Sequence, residues 1–166
     1  MQETPLFTIR YNNTPELEFG YTKLLPSYKR VLTLYRVLGF LMCIPIVANL
    51  SSFLLNRDEV NMGNLIFPLL FVVYMLMYPY VVKMRVKNRF QKDPSNKEPV
   101  LMMLYEDRLE MANSISQSSM QYVGIDHISE TPIGIYLFLS DTKAISIPRE
   151  AVSEQALEFL KGKIGR

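Results

Sequence analysis

The chain contains a single histidine, His127, and an acidic residue, Asp126, directly precedes it. A carboxylate that contacts an imidazole is an arrangement that could support general base catalysis. Adjacent residues of a β-strand point to opposite faces, so a strand at this position would separate the two side chains. One histidine, without an HExxH motif or a nearby cysteine, also gives little support to a metal site. We therefore interpret His127 as a surface or half-buried strand residue.

Other residues that could carry out chemistry lack the partners they would need. The hydroxyl-rich segment at residues 114–119 has no accompanying base, and no GxGxxG loop or P-loop is present. The only cysteine, Cys43, can form neither an internal disulfide nor a cysteine-based metal site. The sequence therefore predicts a protein that is not an enzyme and that uses no metal or cofactor. The least supported alternative is a membrane-associated enzyme that combines Asp126, His127 and Glu130 with the serines of residues 114–119.

Two long uncharged segments, residues 37–55 and 62–82, form the strongest pattern in the chain. Each is long enough to cross a bilayer as an α-helix, which requires about 20 apolar residues. Because only six residues separate them, two such spans would be antiparallel neighbours. The sequence therefore predicts a transmembrane hairpin over residues 28–90. Asn49 is the most polar residue at depth, and we expect it to form an interhelical hydrogen bond.

Basic residues flank this hairpin on both outer sides. They are Lys23, Lys29, Arg30, Arg36, Lys83, Arg85, Lys87, Arg89 and Lys92. The intervening loop has one basic residue, Arg57, beside Asp58 and Glu59. Because cytoplasmic loops carry an excess of Lys and Arg, both termini are predicted to lie in the cytoplasm. Basic residues at a membrane surface also attract anionic headgroups, and the candidate headgroup contacts are Lys83, Arg85, Lys87 and Arg89.

The N-terminal region, residues 1–27, is predicted to contain a strand at residues 7–11 and a short helix. Thr14 is a suitable N-cap and Pro15 is favoured at the first helical position, so the helix should run to about Leu25. Its apolar residues could rest on the membrane interface or on the soluble domain, and their spacing does not distinguish the two. We predict that the N-terminal strand pairs with the sheet that follows the hairpin.

A polar linker at residues 91–99 precedes a β-rich domain at residues 100–166, in which the hydrophobic period is two. The predicted strands are residues 100–105, 108–113, 119–123, 125–130, 133–139 and 144–147. A final helix is predicted to open at Pro148, with an apolar stripe formed by Val152, Ala156, Phe159 and Leu160. Residues 93–166 carry 11 acidic and 7 basic residues, which argues against a nucleic-acid partner.

Four segments of this domain resemble the YcxB-like family of bacterial membrane proteins. They are residues 105–110 (YEDRLE), 122–131 (YVGIDHISET), 135–139 (IYLFL) and 144–149 (AISIPR), followed by an acidic amphipathic helix. The resemblance implies an α+β membrane protein in a bacterial inner membrane. Its antiparallel, pleckstrin-homology-like sheet would carry a C-terminal helix and be attached to the two-helix hairpin. The resemblance assigns no catalytic residues.

The predicted function is the docking of a protein partner at the membrane surface. A sheet edge or the groove between sheet and helix could take a peptide of that partner. Exposed sheet edges also require protection, so the partner that docks there could be a second copy of this chain, which would give a homo-oligomer. The alternative function is the sensing of anionic lipid by the basic segment after the second span.

Overall fold

The computed structural model describes residues 4–56 and 62–164. The loop residues Arg57, Asp58 and Glu59, which contribute to the charge argument, lie outside the described residues. The chain divides into two compact units. The sheet unit combines Met1–Leu25 with Val86–Arg166, and the helix-pair unit is Pro26–Arg85.

The fold is α+β, with four helices and two antiparallel sheets among the described residues. In chain order the helices and strands are β1 (Phe7–Asn12), α1 (Pro15–Leu24), α2 (Pro26–Asn56), α3 (Met62–Lys92), β2 (Pro99–Leu104), β3 (Arg108–Ala112), β4 (Gln117–Gln121), β5 (His127–Glu130), β6 (Gly134–Ser140), β7 (Lys143–Pro148) and α4 (Glu154–Ile164). Short 3₁₀ turns occupy Pro94–Lys97, Tyr122–Gly124 and Arg149–Ala151.

Helices α2 and α3 contain two segments that are long and apolar enough to cross a membrane, Pro26–Ser52 and Leu65–Lys92. In the most apolar stretch of each segment, the buried share is 0% for the first and 6% for the second. A core helix of a water-soluble domain would bury its apolar face against other elements. The apolar surface of this helix pair is instead left uncovered.

Within the helix-pair unit, α2 and α3 contact each other through aromatic and small residues. The Tyr35 and Tyr78 rings pack edge to face with centroids 4.8 Å apart. A Cβ atom added to Gly39 would lie 2.7 Å from the Met75 methyl carbon, so glycine permits the close approach at this point. Among the described residues, Asn49 bonds within its own helix and not across to the other helix, contrary to the prediction. Its Nδ2 donates at 2.9 Å to the Pro45 carbonyl, which lies one turn earlier in α2.

The sheet unit contains a four-stranded sheet in the order β1-β2-β3-β4 and a three-stranded sheet in the order β5-β6-β7. The predicted pairing of the N-terminal strand is confirmed, since β1 runs antiparallel to β2 from Phe7 opposite Leu104 to Asn12 opposite Pro99. These two strands are neighbours in space although α1, α2 and α3 separate them in sequence. The helix pair is therefore an insertion between two paired strands.

One hydrophobic core joins the two sheets and α4. Its fully buried large side chains include Met102, Leu104, Leu109, Leu137, Ile147, Leu157 and Leu160. Strand β1 contributes Ile9 and Tyr11, both buried, while Arg10 between them is exposed. Because β1 supplies part of this core, residues 100–166 alone do not complete it.

Helix α1 packs on the three-stranded sheet rather than leaving its apolar face free. The Thr14 hydroxyl accepts from the Leu17 amide at 3.2 Å, which confirms the predicted N-cap. Leu17 is buried with Tyr136, whose hydroxyl donates to the Leu17 carbonyl at 3.2 Å. A Cβ atom on Gly20 would overlap the Tyr136 hydroxyl, so glycine is required for this close approach.

Several predicted boundaries shift. β4 begins at Gln117 and ends two residues before the predicted limit, because Tyr122 leaves the strand in a 3₁₀ turn and buries its ring. The final helix begins at Glu154 rather than Pro148, after a separate 3₁₀ turn. Val152 is buried, as its place in the predicted stripe requires, but it precedes the helix.

Candidate docking edge

Strand β4 lies at the edge of the four-stranded sheet. One side pairs with β3, from Gln117 opposite Ala112 to Gln121 opposite Arg108. No described strand pairs with the other side. Met120 packs against the core, and the other four side chains of β4 are exposed. β4 is therefore a regular strand that presents one free edge.

A hydrogen bond in the turn before β4 indicates which backbone groups point outward. The Asn113 amide donates to the Ser116 carbonyl at 2.9 Å, so these two residues form a hydrogen-bonded pair. Hydrogen-bonded and non-hydrogen-bonded pairs alternate along an antiparallel ladder. The N–H and C=O groups of Gln117, Ser119 and Gln121 consequently point away from β3.

β4 lacks the features that usually protect sheet edges, which are charged residues, prolines and bulges. The described edge strands of the two sheets differ in this respect. β1 contains Arg10, β5 contains Glu130, and β7 contains both Lys143 and Pro148. β4 contains no charge and no proline, and its register with β3 is continuous. It is the edge best suited to the addition of another strand.

Both ends of β4 are held in place by side chains. At the first end, Asn113 Oδ1 accepts from the amides of Ile115 at 2.9 Å and Ser116 at 2.6 Å. At the other end, the Tyr122 hydroxyl donates to the Tyr105 carbonyl at 2.8 Å. Burial raises the pKa of Tyr122 to about 12, with a smaller contribution from the Asp107 charge. The hydroxyl therefore stays protonated and remains a donor at neutral pH.

Two exposed apolar residues lie beyond the ends of β4. Ile115 is 65% exposed in the preceding turn and Val123 is 89% exposed in the following one. The stretch from residue 111 to residue 125 contains no Asp, Glu, Lys, Arg or His, although the surrounding domain is rich in acidic and basic residues. We call residues 115–123 the β4 edge. It combines outward-pointing backbone groups, neutral polar side chains and one exposed apolar residue beyond each end of the strand.

The four predicted headgroup contacts lie on the last turns of α3, and all four side chains are exposed. Lys83 and Lys87 are one helical turn apart, as are Arg85 and Arg89. Arg89 borders a cavity of about 430 Å³ that is also lined by Glu18 and Asp93. Burial raises the pKa of Glu18, while the Arg89 charge acts in the opposite direction. These acidic neighbours weaken the attraction of Arg89 for an anion.

The Asp126–His127 pair differs from the sequence expectation. Asp126 precedes β5, so strand alternation does not separate the two side chains, and Asp126 Oδ2 lies 2.8 Å from His127 Nδ1. The imidazole stacks on the Phe138 ring with centroids 4.4 Å apart. Glu130, the third proposed catalytic residue, forms an ion pair of 2.6 Å with Lys161. Within residues 4–56 and 62–164, no group of three or more His, Cys, Asp or Glu side chains could hold a metal ion.

The β4 edge also falls within the part of the chain that resembles a known family. Residues 104–164 match the family model for YcxB-like protein. We call this segment the YcxB-like region. It contains β3 to β7 and α4, whereas β1 and the helix pair lie outside it. Neither the curated proteins nor the solved structures contained a match.

The sequence predicted a docking surface on a sheet edge or in the groove between sheet and helix, and it did not identify β4. The uncharged stretch at residues 111–125 was the available signal. The sequence predicts parts of three strands within it, residues 108–113, 119–123 and 125–130, but does not show which strand lies at an edge, because strand order is a tertiary property. Pairing with β3 on one side only makes this stretch an edge.

Proposed function

We propose that this chain is a non-enzymatic protein of a bacterial inner membrane that docks a protein partner at the membrane surface. The docking module is its cytoplasmic, pleckstrin-homology-like domain, and the β4 edge receives a strand of the partner. The observation that carries the proposal is the uncharged, proline-free edge of β4, with outward backbone groups and an exposed apolar residue beyond each end. Main-chain hydrogen bonds would supply affinity, and the side chains beside them would supply selectivity.

The membrane placement draws support from the uncovered apolar surface of α2 and α3. Because β1 pairs with β2, the chain leaves the sheet unit into α2 and returns to it from α3. A helix pair inserted in this way would cross the bilayer twice, which keeps both termini on one side. The basic residues on both flanks favour the cytoplasmic side.

The pleckstrin-homology-like assignment is supported by the order of elements. A four-stranded antiparallel sheet is followed by a three-stranded one, and a C-terminal helix packs on their shared core. In this chain a helix pair separates the first two strands, which would hold the domain at the bilayer through two connections rather than one.

A Ser119→Lys variant tests the docking edge without opposing the fold. Glu110 lies directly across from residue 119 on β3, so the introduced ammonium gains an acidic neighbour within its own sheet. On the outer side, it places a charge where a partner strand would pair. The purified chain carries a tag and is co-expressed with an untagged copy, so that a second copy is counted as well as a different protein. We expect the stoichiometric partner of the wild-type protein to fall at least about tenfold in the variant. Quantitative mass spectrometry of full-length protein from native membranes in mild detergent, with the tag distinguishing the two copies, measures this.

The matched control is Ser119→Gln. It introduces a long neutral side chain of the same type as those of Gln117 and Gln121, which lie two residues away on either side. It should retain the partner. Equal recovery of the partner with Ser119→Lys, in protein that remains folded by circular dichroism, would contradict a docking role for the β4 edge.

The sensing of anionic lipid is the second candidate function, and the exposure of Lys83, Arg85, Lys87 and Arg89 favours it. The same purification distinguishes it from protein docking. An enriched anionic lipid without any protein partner, lost when these four residues are reversed in charge, would favour lipid sensing. Because β1 completes the core, the comparison requires the full chain rather than a fragment that begins at residue 83.

A further inference from the structure

Strand β4, at the centre of the β4 edge, has a sequence that is close to symmetric about its central residue. Its five residues are Gln, Ser, Ser, Met and Gln. Antiparallel pairing of β4 with a second β4, centred on Ser119, places Ser119 opposite Ser119 and Gln117 opposite Gln121. Ser118 then lies opposite Met120. Such an arrangement has twofold symmetry, so each copy uses the same surface.

The backbone has the correct alternation for this register. The outward N–H and C=O groups belong to Gln117, Ser119 and Gln121, as the Asn113–Ser116 hydrogen bond requires. In the register centred on Ser119, these three residues meet only one another. Each such pair can exchange two main-chain hydrogen bonds. A shift of the centre to Ser118 or Met120 would leave one of the three outside the paired segment.

The exposed apolar residues obey the same symmetry. Ile115 lies four residues before Ser119 and Val123 lies four residues after it. Pairing about Ser119 therefore brings Ile115 of one copy close to Val123 of the other copy. Because of the twofold symmetry, the same pair of residues meets at both ends of the paired strands. Two side chains that are 65% and 89% exposed in the single chain would then be partly covered.

Charge also favours a second copy as the occupant. Residues 93–166 have four more acidic than basic residues, so two copies of this region carry a net charge of the same sign. The stretch at residues 111–125 is free of charge, and self-pairing there places no like charges opposite each other. A strand of opposite charge would gain nothing at this edge.

We infer that the β4 edge is a homodimerisation site, in which β4 strands of two copies pair antiparallel about Ser119. This inference rests on the proposed docking function and identifies the partner as a second copy of this chain. The two sheets would join into one continuous eight-stranded sheet across the twofold axis, since each copy supplies β1 to β4.

Site-specific cross-linking in native membranes tests both the partner and the register. All variants carry Cys43→Ala, so that the introduced cysteine is the only one. With a short thiol-specific cross-linker, Ser119→Cys should give a product of twice 19.3 kDa. Gln117→Cys alone should give almost none, because the two copies of residue 117 lie four strand positions apart, about 13 Å. Co-expression of differently tagged Gln117→Cys and Gln121→Cys chains should restore the product.

The outcomes separate this inference from the proposed function. Absence of the Ser119→Cys product, or equal cross-linking by Gln117→Cys alone, overturns pairing about Ser119. If Ser119→Cys instead cross-links to a different protein, the docking edge stands and the second copy is excluded as its occupant. If Ser119→Cys gives no product and Ser119→Lys loses no partner, both the inference and the docking edge fail.

Discussion

An Ile9→Asp substitution should unfold the sheet unit, although Ile9 precedes the YcxB-like region by 95 residues. The Ile9 side chain is 4% exposed and lies in the core between the sheets. Truncation of a buried isoleucine alone costs about 2–5 kcal/mol. A carboxylate at this position adds the penalty for burying a charge without a partner. The expected total is about 4 kcal/mol or more, which is a large part of the stability of a small domain.

The control for this prediction is Arg10→Asp on the same strand. The Arg10 side chain is exposed and points to the opposite face of the sheet from Ile9. Residue 10 pairs with Leu101 in the same ladder between β1 and β2. We expect this change to alter the free energy of unfolding by less than about 1 kcal/mol. Denaturant titration of full-length protein in detergent, followed by far-ultraviolet circular dichroism, measures both variants. If Ile9→Asp behaves like Arg10→Asp, β1 is not an integral part of the sheet.

The second large effect is expected in α4. Leu157 is 1% exposed and packs in the core that α4 shares with the two sheets. Leu157→Ala should lower the free energy of unfolding by about 2–4 kcal/mol, through lost apolar burial and the cavity that remains. Glu158→Ala changes the next residue, which is exposed, and should cost less than about 1 kcal/mol. Denaturant titration of both variants tests whether α4 is part of the core. Similar values for the two variants would show that α4 is not part of it.

These two predictions have a common consequence for folding. β1 is made before the helix pair, and β2 to β7 are made after it. The core cannot be completed until the chain has passed through α2 and α3 and returned. Since a sheet of this size is marginal without part of its core, folding of the sheet unit depends on chain segments on both sides of the helix pair.

Local patterns in the sequence predicted most of the elements. Thr14 and Pro15 give the start of α1, and the period of two after Pro99 gives the strands. The lengths of the uncharged segments give two helices that could cross a membrane. Each of these features depends on neighbouring residues in the chain, which is the information a single sequence carries.

The features that were missed depend on contacts between distant residues. Tyr122 ends β4 early because its ring is buried and its hydroxyl bonds the Tyr105 carbonyl, 17 positions away. β5 begins at His127 because its pairing with β6 begins there, opposite Phe138, so Asp126 lies outside the strand and contacts His127. The candidate site was missed for the same reason, since an edge is defined by strand order rather than by composition.

Amide hydrogen exchange along β4 tests the central claim most directly, because alternate residues report on different partners. In wild-type protein in native-membrane nanodiscs, the amides of Ser118 and Met120 bond β3, while those of Gln117 and Gln121 face outward. An occupied edge predicts that the amides of residues 117 and 121 are protected, and that they exchange at least about tenfold faster in Ser119→Lys. The amides of residues 118 and 120 should be protected in both proteins. Rapid exchange of residues 117 and 121 in wild-type protein, with residues 118 and 120 protected, would show a folded but empty edge and contradict the proposed docking function.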